Sequence, residues 1–392
     1  MKKKKTESYE DFAVTVNFND FKKQLSFIDQ LSKVIALGDS KASDLVLVKT
    51  TKTGISMEFA RGGLYAKLKT DATILGKGGF VIPFPYLTSI RGRKKEVTLS
   101  VSNIDKEDML CFKSGVTKGE IKVSKKYDSV ENAIPENKIK CKIILNPKTI
   151  KDNVNKVVFN TYDPHIDKGI GLPIVIKGEK KSLSMTSNDK FCASKINIST
   201  DDKVDNVLIT LQATIFDLIL KNCESDKLKI GKDDSSTKFL SERFTIIAPT
   251  QDLSSIDFDE WVVSNIDKDS KEAEVTFDTE NTTNIIEDVS ALSKVVESEP
   301  TVLMVFSPDK MKTNVKVESA VGKTTSSFKI KKMTKNGNKT KKPIKIKVTG
   351  YLLEEFLKIM SKNKTTVLDV YTNLVVIKDT DNNFNYIIPL LT

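Results

Sequence analysis

One phrase occurs three times along the 392 residues: a short strand-forming run, a polar break of Asn, Thr or Asp, then an amphipathic helical stretch. The copies are VTVNFNDFKKQLSFIDQLSKV (Val14 to Val34), CKIILNPKTIKDNVNKVVF (Cys141 to Phe159) and AEVTFDTENTTNIIEDVSALSKVVE (Ala273 to Glu297). Their starts lie about 130 residues apart, a domain-sized interval rather than the shorter period of a solenoid. A second phrase, strand to short helix to strand, follows each copy at a similar offset: Phe80 to Val101, Val207 to Ile230 and Ile344 to Val370. Two phrases in fixed order and at fixed spacing constrain the chain to three copies of one fold.

Length agrees, because one hydrophobic core rarely serves so long a chain and three domains of about 130 residues are of ordinary size. The expected divisions are 1–130, 131–270 and 271–392. Hydrophobic residues make up 39% and charged residues 29%, a composition that lets each copy bury a core. No apolar run is long enough for a membrane span. MKKKKTESYE at the start is lysine-rich with no apolar segment behind it, so it reads as a solvated tail rather than a secretory leader. Cys111, Cys141, Cys192 and Cys223 lack metal or disulfide spacing and read as reduced thiols of a cytoplasmic protein.

The net charge of +11 is unevenly distributed. Lys and Arg number 24 against 15 Asp and Glu in 1–130, 20 against 22 in 131–270, and 19 against 15 in 271–392. Such a surplus favours a polyanionic partner, although a lysine-rich proteome would produce it too. Placement separates the two explanations. In the first long helix Phe18, Phe21, Leu25, Ile28 and Ile35 form one stripe and leave Lys22, Lys23 and Lys33 off it. The second buries Ile150, Val154, Val157 and Val158 and exposes Lys148, Lys151 and Lys156, with Pro147 at the first helical position. In the third, Ile285, Val289, Leu292 and Val296 face in, while Lys294, Glu287 and Asp288 face out. Arg91 and Arg93 add a basic loop, and Lys221 lies within the second phrase of the middle copy.

Elsewhere the residues alternate, as in Leu45 to Thr50, Ile55 to Phe59, Leu64 to Thr70, Val97 to Val101, Ile174 to Ile176, Val315 to Val317 and Ile344 to Val348. This is the period of half-buried antiparallel strands. Each copy therefore reads as two helices on one side of a meandering sheet, an α+β design. The run from Lys331 to Pro343 reads as a long hairpin connection, and Glu224 to Lys229 as a mixed-charge separator.

Catalytic chemistry finds no support. His165 is the sole histidine and follows Tyr162-Asp163-Pro164 in a loop-like stretch. Val321-Gly322-Lys323-Thr324-Thr325 resembles the end of a P-loop without its earlier glycine or following helix. Asp201-Asp202 and Asp233-Asp234 sit in polar turns. No enzyme, metal or cofactor is expected.

Two stretches now carry a resemblance. LSMTSNDKFCASKINI (Leu183 to Ile198) looks like a strand-turn-strand, and the chain ends in NYIIPLLT with Pro389 fourth from the end. With the three repeats and the length, they make the chain resemble the bacterial sliding clamp, the beta subunit of the replicative DNA polymerase, in a divergent phage or bacterial version. The family's turn usually reads Thr-Asp-Gly-His-Arg-Leu-Ala; here Ser187, Asn188, Asp189, Lys190, Phe191, Cys192 and Ala193 occupy it.

The resemblance implies a head-to-tail homodimer, with two three-domain crescents closing into a ring of six units whose helices line a hole around duplex DNA. On it, Lys22, Lys23, Lys33, Arg91, Arg93, Lys148, Lys151, Lys156, Lys221 and Lys294 would face the phosphates. It also implies a pocket between the second and third domains where a short peptide of a polymerase or clamp loader docks Leu and Phe anchors. The positions carried over are Ile170 and Leu172, Phe191 and Cys192 in the turn, Trp261 and Val262 in the linker, and Tyr386, Ile388, Pro389, Leu390 and Leu391 at the end. Asp189-Lys190-Phe191 in place of Gly-His-Arg changes the expected pocket. The rival from another class is a β-rich virion assembly protein of three repeated domains, which needs neither basic helix faces nor an apolar tail.

Overall fold

The polar breaks of the first phrase are helix N-caps, which is why the repeats begin where they do. A computed structural model describes residues 11–35, 45–92, 94–127, 139–141, 143–158, 173–188, 192–200, 204, 207–250, 266–291, 301–319, 322–335, 338–340, 342–360, 364–379 and 384–391. Asn17 Oδ1 accepts from the backbone N–H of Asn19 at 3.0 Å and of Asp20 at 3.4 Å, opening the helix Phe18–Ile35. Asn146 Oδ1 accepts from Lys148 N at 3.0 Å ahead of Pro147–Val158. Asp278 Oδ1 accepts from Asn281 N at 3.0 Å ahead of Thr279–Ala291. Each cap satisfies first-turn donors that have no intrahelical partner. The strands Ala13–Asn17, Ile143–Leu145 and Lys271–Asp278 lead into these three helices.

The second phrase is realised as regularly. Phe84–Thr88 lies between strands Gly79–Pro83 and Glu96–Ile104, Ala213–Asn222 between Val207–Gln212 and Leu228–Lys232, and Gly350–Met360 between Ile344–Thr349 and Thr365–Tyr371.

Burial follows the stripes in two helices and corrects the third. Phe21, Leu25 and Ile28 are buried, joined by Phe27 and Leu31, and Phe18 is half-buried. Ile150, Val154 and Val157 are buried. In the third helix Ile286 rather than Ile285 is buried with Val289, and Thr279, Thr282, Thr283 and Ser290 complete the inward face. Ile285 and Glu287 are half-buried. Short hydroxyl side chains explain the rotated face: Thr283 Oγ1 donates to Thr279 O at 2.8 Å and reaches Leu357 O at 3.4 Å, tying the helix to Gly350–Met360. Leu292 and Val296 lie outside the described residues.

The chain forms two compact units. The first comprises 1–151, 168–170 and 214–251, the second 152–167, 171–213 and 252–392. In the first, an antiparallel sheet runs Thr117–Lys122, Glu107–Ser114, Glu96–Ile104, Ala13–Asn17, Leu64–Gly76, Phe244–Pro249, Ser236–Leu240, Leu228–Lys232, Ile143–Leu145. Gly54–Arg61, Leu45–Thr50 and Gly79–Pro83 branch from Leu64–Gly76. The hairpin Arg61↔Leu64 turns through Gly62 and Gly63, both at positive φ (53° and 79°), the conformation that a two-residue turn of this hand requires. Edge-to-face rings pack its core, Phe12 on Phe80 at 4.9 Å and Phe27 on Phe244 at 5.9 Å.

In the second unit the order is Val207–Gln212, Pro173–Glu179, Ser182–Asn188, Ala193–Ser199, Phe384–Pro389, Leu374–Asp379, Thr365–Tyr371, Lys271–Asp278, Gly322–Lys335, Lys312–Ser319, Thr301–Ser307, Ile344–Thr349. The last eight strands repeat the order of the first third of the chain. The basic run from Lys331 is strand as far as Lys335, and Asn338–Lys339 folds back on it through Lys335↔Asn338 and Thr334↔Lys339. The expected long connection is therefore a hairpin end, because Ile330 and Met333 are buried and hold the register to the tip.

Two junctions share one design. The eighth strand of the middle third, Phe244–Pro249, pairs with the fourth strand of the first third (Phe244↔Leu68 to Ile247↔Tyr65). The eighth strand of the last third, Phe384–Pro389, leaving the two-residue Asn338–Lys339 out of the count, pairs with the fourth of the middle third (Ala193↔Ile387 to Ile196↔Phe384).

Candidate nucleic-acid interface and C-terminal groove

Two of the expected phosphate contacts meet one loop. Lys22, Lys23 and Lys33 are exposed on the first helix, Lys148 and Lys151 on the second, while Lys156 is half-buried there. After Ala213–Asn222 the chain runs through Cys223 to Lys227, and its acids face these helices. Lys23 Nζ pairs with Glu224, and Lys148 Nζ donates to Asp226 Oδ1 at 2.7 Å. The hydrogen bond from Lys23 holds the Glu224 carboxyl below its ordinary range, and that from Lys148 does the same for Asp226. Asp226 in turn raises the ammonium of Lys148 above its ordinary value.

The remaining basic positions differ. Lys33 pairs with Asp29 and Lys221 with Asp217, each at i,i+4 on its own helix. Lys22 and Lys151 make no ion pair among the described residues, and Arg91 is exposed. Arg93 and Lys294 lie outside the described residues. The sequence singled out the lysines from helical periodicity, whereas Glu224 and Asp226 carried no signal beyond a mixed-charge stretch, because their role depends on residues 201 and 78 positions away.

The C-terminal residues sort into core and groove. Tyr386 and Ile388 are fully buried, with Tyr386 stacked on Phe356 at 5.1 Å and 4° between ring planes. Cys192 is buried beside Ala193, which pairs with Ile387. Where docking residues were expected, these three are buried: the last strand is covered on both faces, by Phe356 over Tyr386 on one side and by Ala193, Leu374 and Val376 around Ile387 on the other. Pro389 and Leu390 are half-buried and Leu391 is 36% exposed. Leu390 N donates to Asn373 O at 2.9 Å and Leu391 N to Lys347 O at 2.8 Å, so the tail is laid along Ile344–Thr349. There Leu390 and Leu391 join Leu303 and Ile346 in a groove of about 650 Å³ with Lys316, Lys345, Lys347 and Glu318 around it. These partners escaped the sequence reading because strand alternation marks burial without telling which strand a tail will follow. Ile170, Leu172, Phe191, Trp261 and Val262 lie outside the described residues, as does His165.

Of the motifs weighed for chemistry, two fall on described residues, while Asp201, Asp202 and Val321 lie outside them. Asp233 Oδ1 accepts from Ser235 N at 3.0 Å and Ser236 N at 2.7 Å as a turn, and Gly322 to Thr325 lie in a strand. Among the described residues no three His, Cys, Asp or Glu are placed to hold a metal ion, and no helix is long and apolar enough to cross a membrane.

No protein-family model and no curated protein matches the sequence. Solved structures do match the fold. A putative DNA polymerase III beta subunit from Eubacterium rectale superposes with a TM-score of 0.79 at 16% identity, covering 97% of this chain and 100% of that one. The DNA polymerase III beta subunit of Thermotoga maritima gives 0.78 at 14%, covering 97% and 99%. The DNA polymerase sliding clamp of Bacillus subtilis gives 0.79 at 13%, also covering 97% and 99%. The chain has the α+β fold of the sliding clamps, at a sequence distance that marks it as divergent from them.

Proposed function

We propose that this chain is a DNA sliding clamp: a non-enzymatic processivity factor of three repeated domains, 1–130, 131–270 and 271–392, acting in the cytoplasm. Its homodimer would close a six-domain ring around duplex DNA and tether a replicative polymerase and a clamp loader. The observation that carries this reading is the junction design together with the fold match over 97% of the chain. Eighth strands pair with fourth strands of the preceding third, and one strand of each kind is left over. Thr117–Lys122, the eighth strand of the first third, pairs only with Glu107–Ser114 among the described strands. The 322–329 part of the fourth strand of the last third pairs only with Lys312–Ser319 among the described strands. Open strand edges invite pairing. Joining these two edges head to tail between two copies repeats the same junction twice and leaves no edge of this kind open, the closure expected of a two-fold dimer.

Inside such a ring, lysines at the phosphates release counterions and read no sequence, so the ring slides. Topology replaces tight binding. The groove at Leu390 and Leu391 suits a partner peptide with apolar anchors, which concentrate binding energy in a few buried side chains.

Light scattering on the purified chain tests the assembly: a dimer is expected, and a strict monomer or a trimer at micromolar concentration overturns it. Small-angle scattering then checks for a closed ring with a hole wide enough for a duplex. Retention on nicked circular DNA and release on linearising it completes the test.

A further inference from the structure

We propose that the Glu224-Ser225-Asp226 loop is an internal phosphate surrogate, which occupies Lys23 and Lys148 when no DNA is present and is displaced when a duplex arrives. The inference rests on the DNA-facing role proposed above for those helices. Lys33 and Lys221 are neutralised within their own helices, an ordinary i,i+4 arrangement. Lys23 and Lys148 are different. They belong to two helices, and a third element far away in sequence brings one carboxylate to each. Their neighbours Lys22 and Lys151 have no ion pair among the described residues, so the basic surface has an open set and a capped set.

The loop is shaped for this. Lys227 N donates to Ser225 Oγ at 3.2 Å and Cys223 Sγ reaches Ser225 O at 3.8 Å, a local turn that places Ser225 between the two acids and leaves them for the lysines. Both ion pairs are well exposed, with side chains between 49% and 76% accessible. Exposed pairs of this kind are weak, so a phosphate, which accepts through several charged oxygens, competes for the same ammonium groups. Beside the loop lies an open cleft of about 700 Å³ bounded by Lys229, Leu240, Ser241 and Glu242, which leaves the displaced acids room to move into solvent.

The exchange has a thermodynamic signature. Each lysine transferred to a phosphate releases a DNA counterion, but each carboxylate it leaves takes up a cation. Net ion release is therefore smaller than the number of lysines engaged, by up to about two ions. Neutralising the acids restores it.

The experiment measures affinity of the full chain for a short fluorescent duplex against salt concentration. Four variants are compared with the parent: Glu224→Gln with Asp226→Asn; Asp105→Asn with Asp234→Asn as an exposed charge-matched control; Lys23→Ala with Lys148→Ala; and the first and third sets combined. The first set is expected to bind about fivefold tighter at low salt with a steeper salt slope, and the control less than about twofold tighter. In the combined variant the gain should shrink to that of the control. A gain equal to the control, or one that survives loss of both lysines, overturns the surrogate. If removing Lys23 and Lys148 leaves affinity and slope unchanged, the DNA-facing role of these helices fails instead. Melting curves confirm that each variant is folded, which the exposure of all six positions favours.

Discussion

The first and third helices of the repeat share a cap, a leading strand and a place in the strand order, yet present opposite surfaces. Phe18–Ile35 buries Phe21, Leu25, Phe27, Ile28 and Leu31 and shows lysines; Thr279–Ala291 buries mostly Thr and Ser around Ile286 and Val289 and shows Glu280, Asp288 and, half-buried, Glu287. The fold is set by what the two have in common, the cap and the strand pairing. What differs is free to vary: side-chain size sets how closely the helix approaches its neighbours, and surface charge sets what the helix faces. Helices at the same place in a repeated strand order need not present the same surface.

The largest effect should come from the packing half of this contrast. Phe21→Ala removes a fully buried ring and should cost about 3 to 5 kcal/mol, whereas Thr282→Ala on the third helix removes only a small hydroxyl side chain and should cost under about 1.5 kcal/mol. Urea unfolding of both variants measures the difference. Equal losses would mean that the third helix is held as tightly by its hydroxyl face as the first by its rings.

The charge half is tested on DNA. Reversing Lys22, Lys23, Lys148 and Lys151 to Glu should abolish measurable low-salt duplex binding and flatten the salt slope by about 1.8 to 3.6, the lower figure holding if the carboxylates displaced from Lys23 and Lys148 each take up a cation. Glu287→Lys with Asp288→Lys on the third helix should strengthen binding several-fold and steepen the slope. Unchanged slopes in both would place the contact surface elsewhere. Deleting Pro389 to Thr392 should leave these slopes intact and remove peptide binding measured by calorimetry, because Leu390 and Leu391 line the groove and neither belongs to the basic helices. Peptide affinity that survives the deletion would remove the groove assignment.

The features legible in the sequence were those written locally. Asn17, Asn146 and Asp278 stand at fixed distances from their apolar stripes, so periodicity and polar breaks together locate the helices, and period-two runs locate the strands. The contribution of Thr282, Thr283 and Ser290 to a buried face was not legible, since hydroxyl residues read as polar until the neighbouring Leu357 carbonyl is known to lie within reach. Tyr386 and Ile388 were read as docking residues from a terminal motif; the helix Gly350–Met360, whose Phe356 stacks on Tyr386, covers their face of the last strand and leaves both buried. Long-range ion pairs such as Lys148 with Asp226 depend on topology alone, and no local pattern announces them.

The smallest expected effect tests what the helices share. Asn17→Ala and Asp278→Ala each leave first-turn N–H groups without the side-chain acceptor, and each should lose about 1 kcal/mol. Asp278 also faces Lys331 Nζ at 3.5 Å, with both side chains nearly half exposed, so that ion pair adds little. Exchanging the caps separates the two roles: Asn17→Asp keeps the acceptor and adds a charge that the helix N-terminus favours, while Asp278→Asn keeps the acceptor and gives up the charge. Both should lie within a few tenths of a kcal/mol of the parent, with the aspartate at either position the more stable. Urea midpoints at constant slope measure all four. If alanine is tolerated at 17 but not at 278, the first helix, with its large buried side chains, nucleates from its core contacts and only the hydroxyl-faced third helix depends on its cap, so even the shared element would carry unequal weight in the two helices.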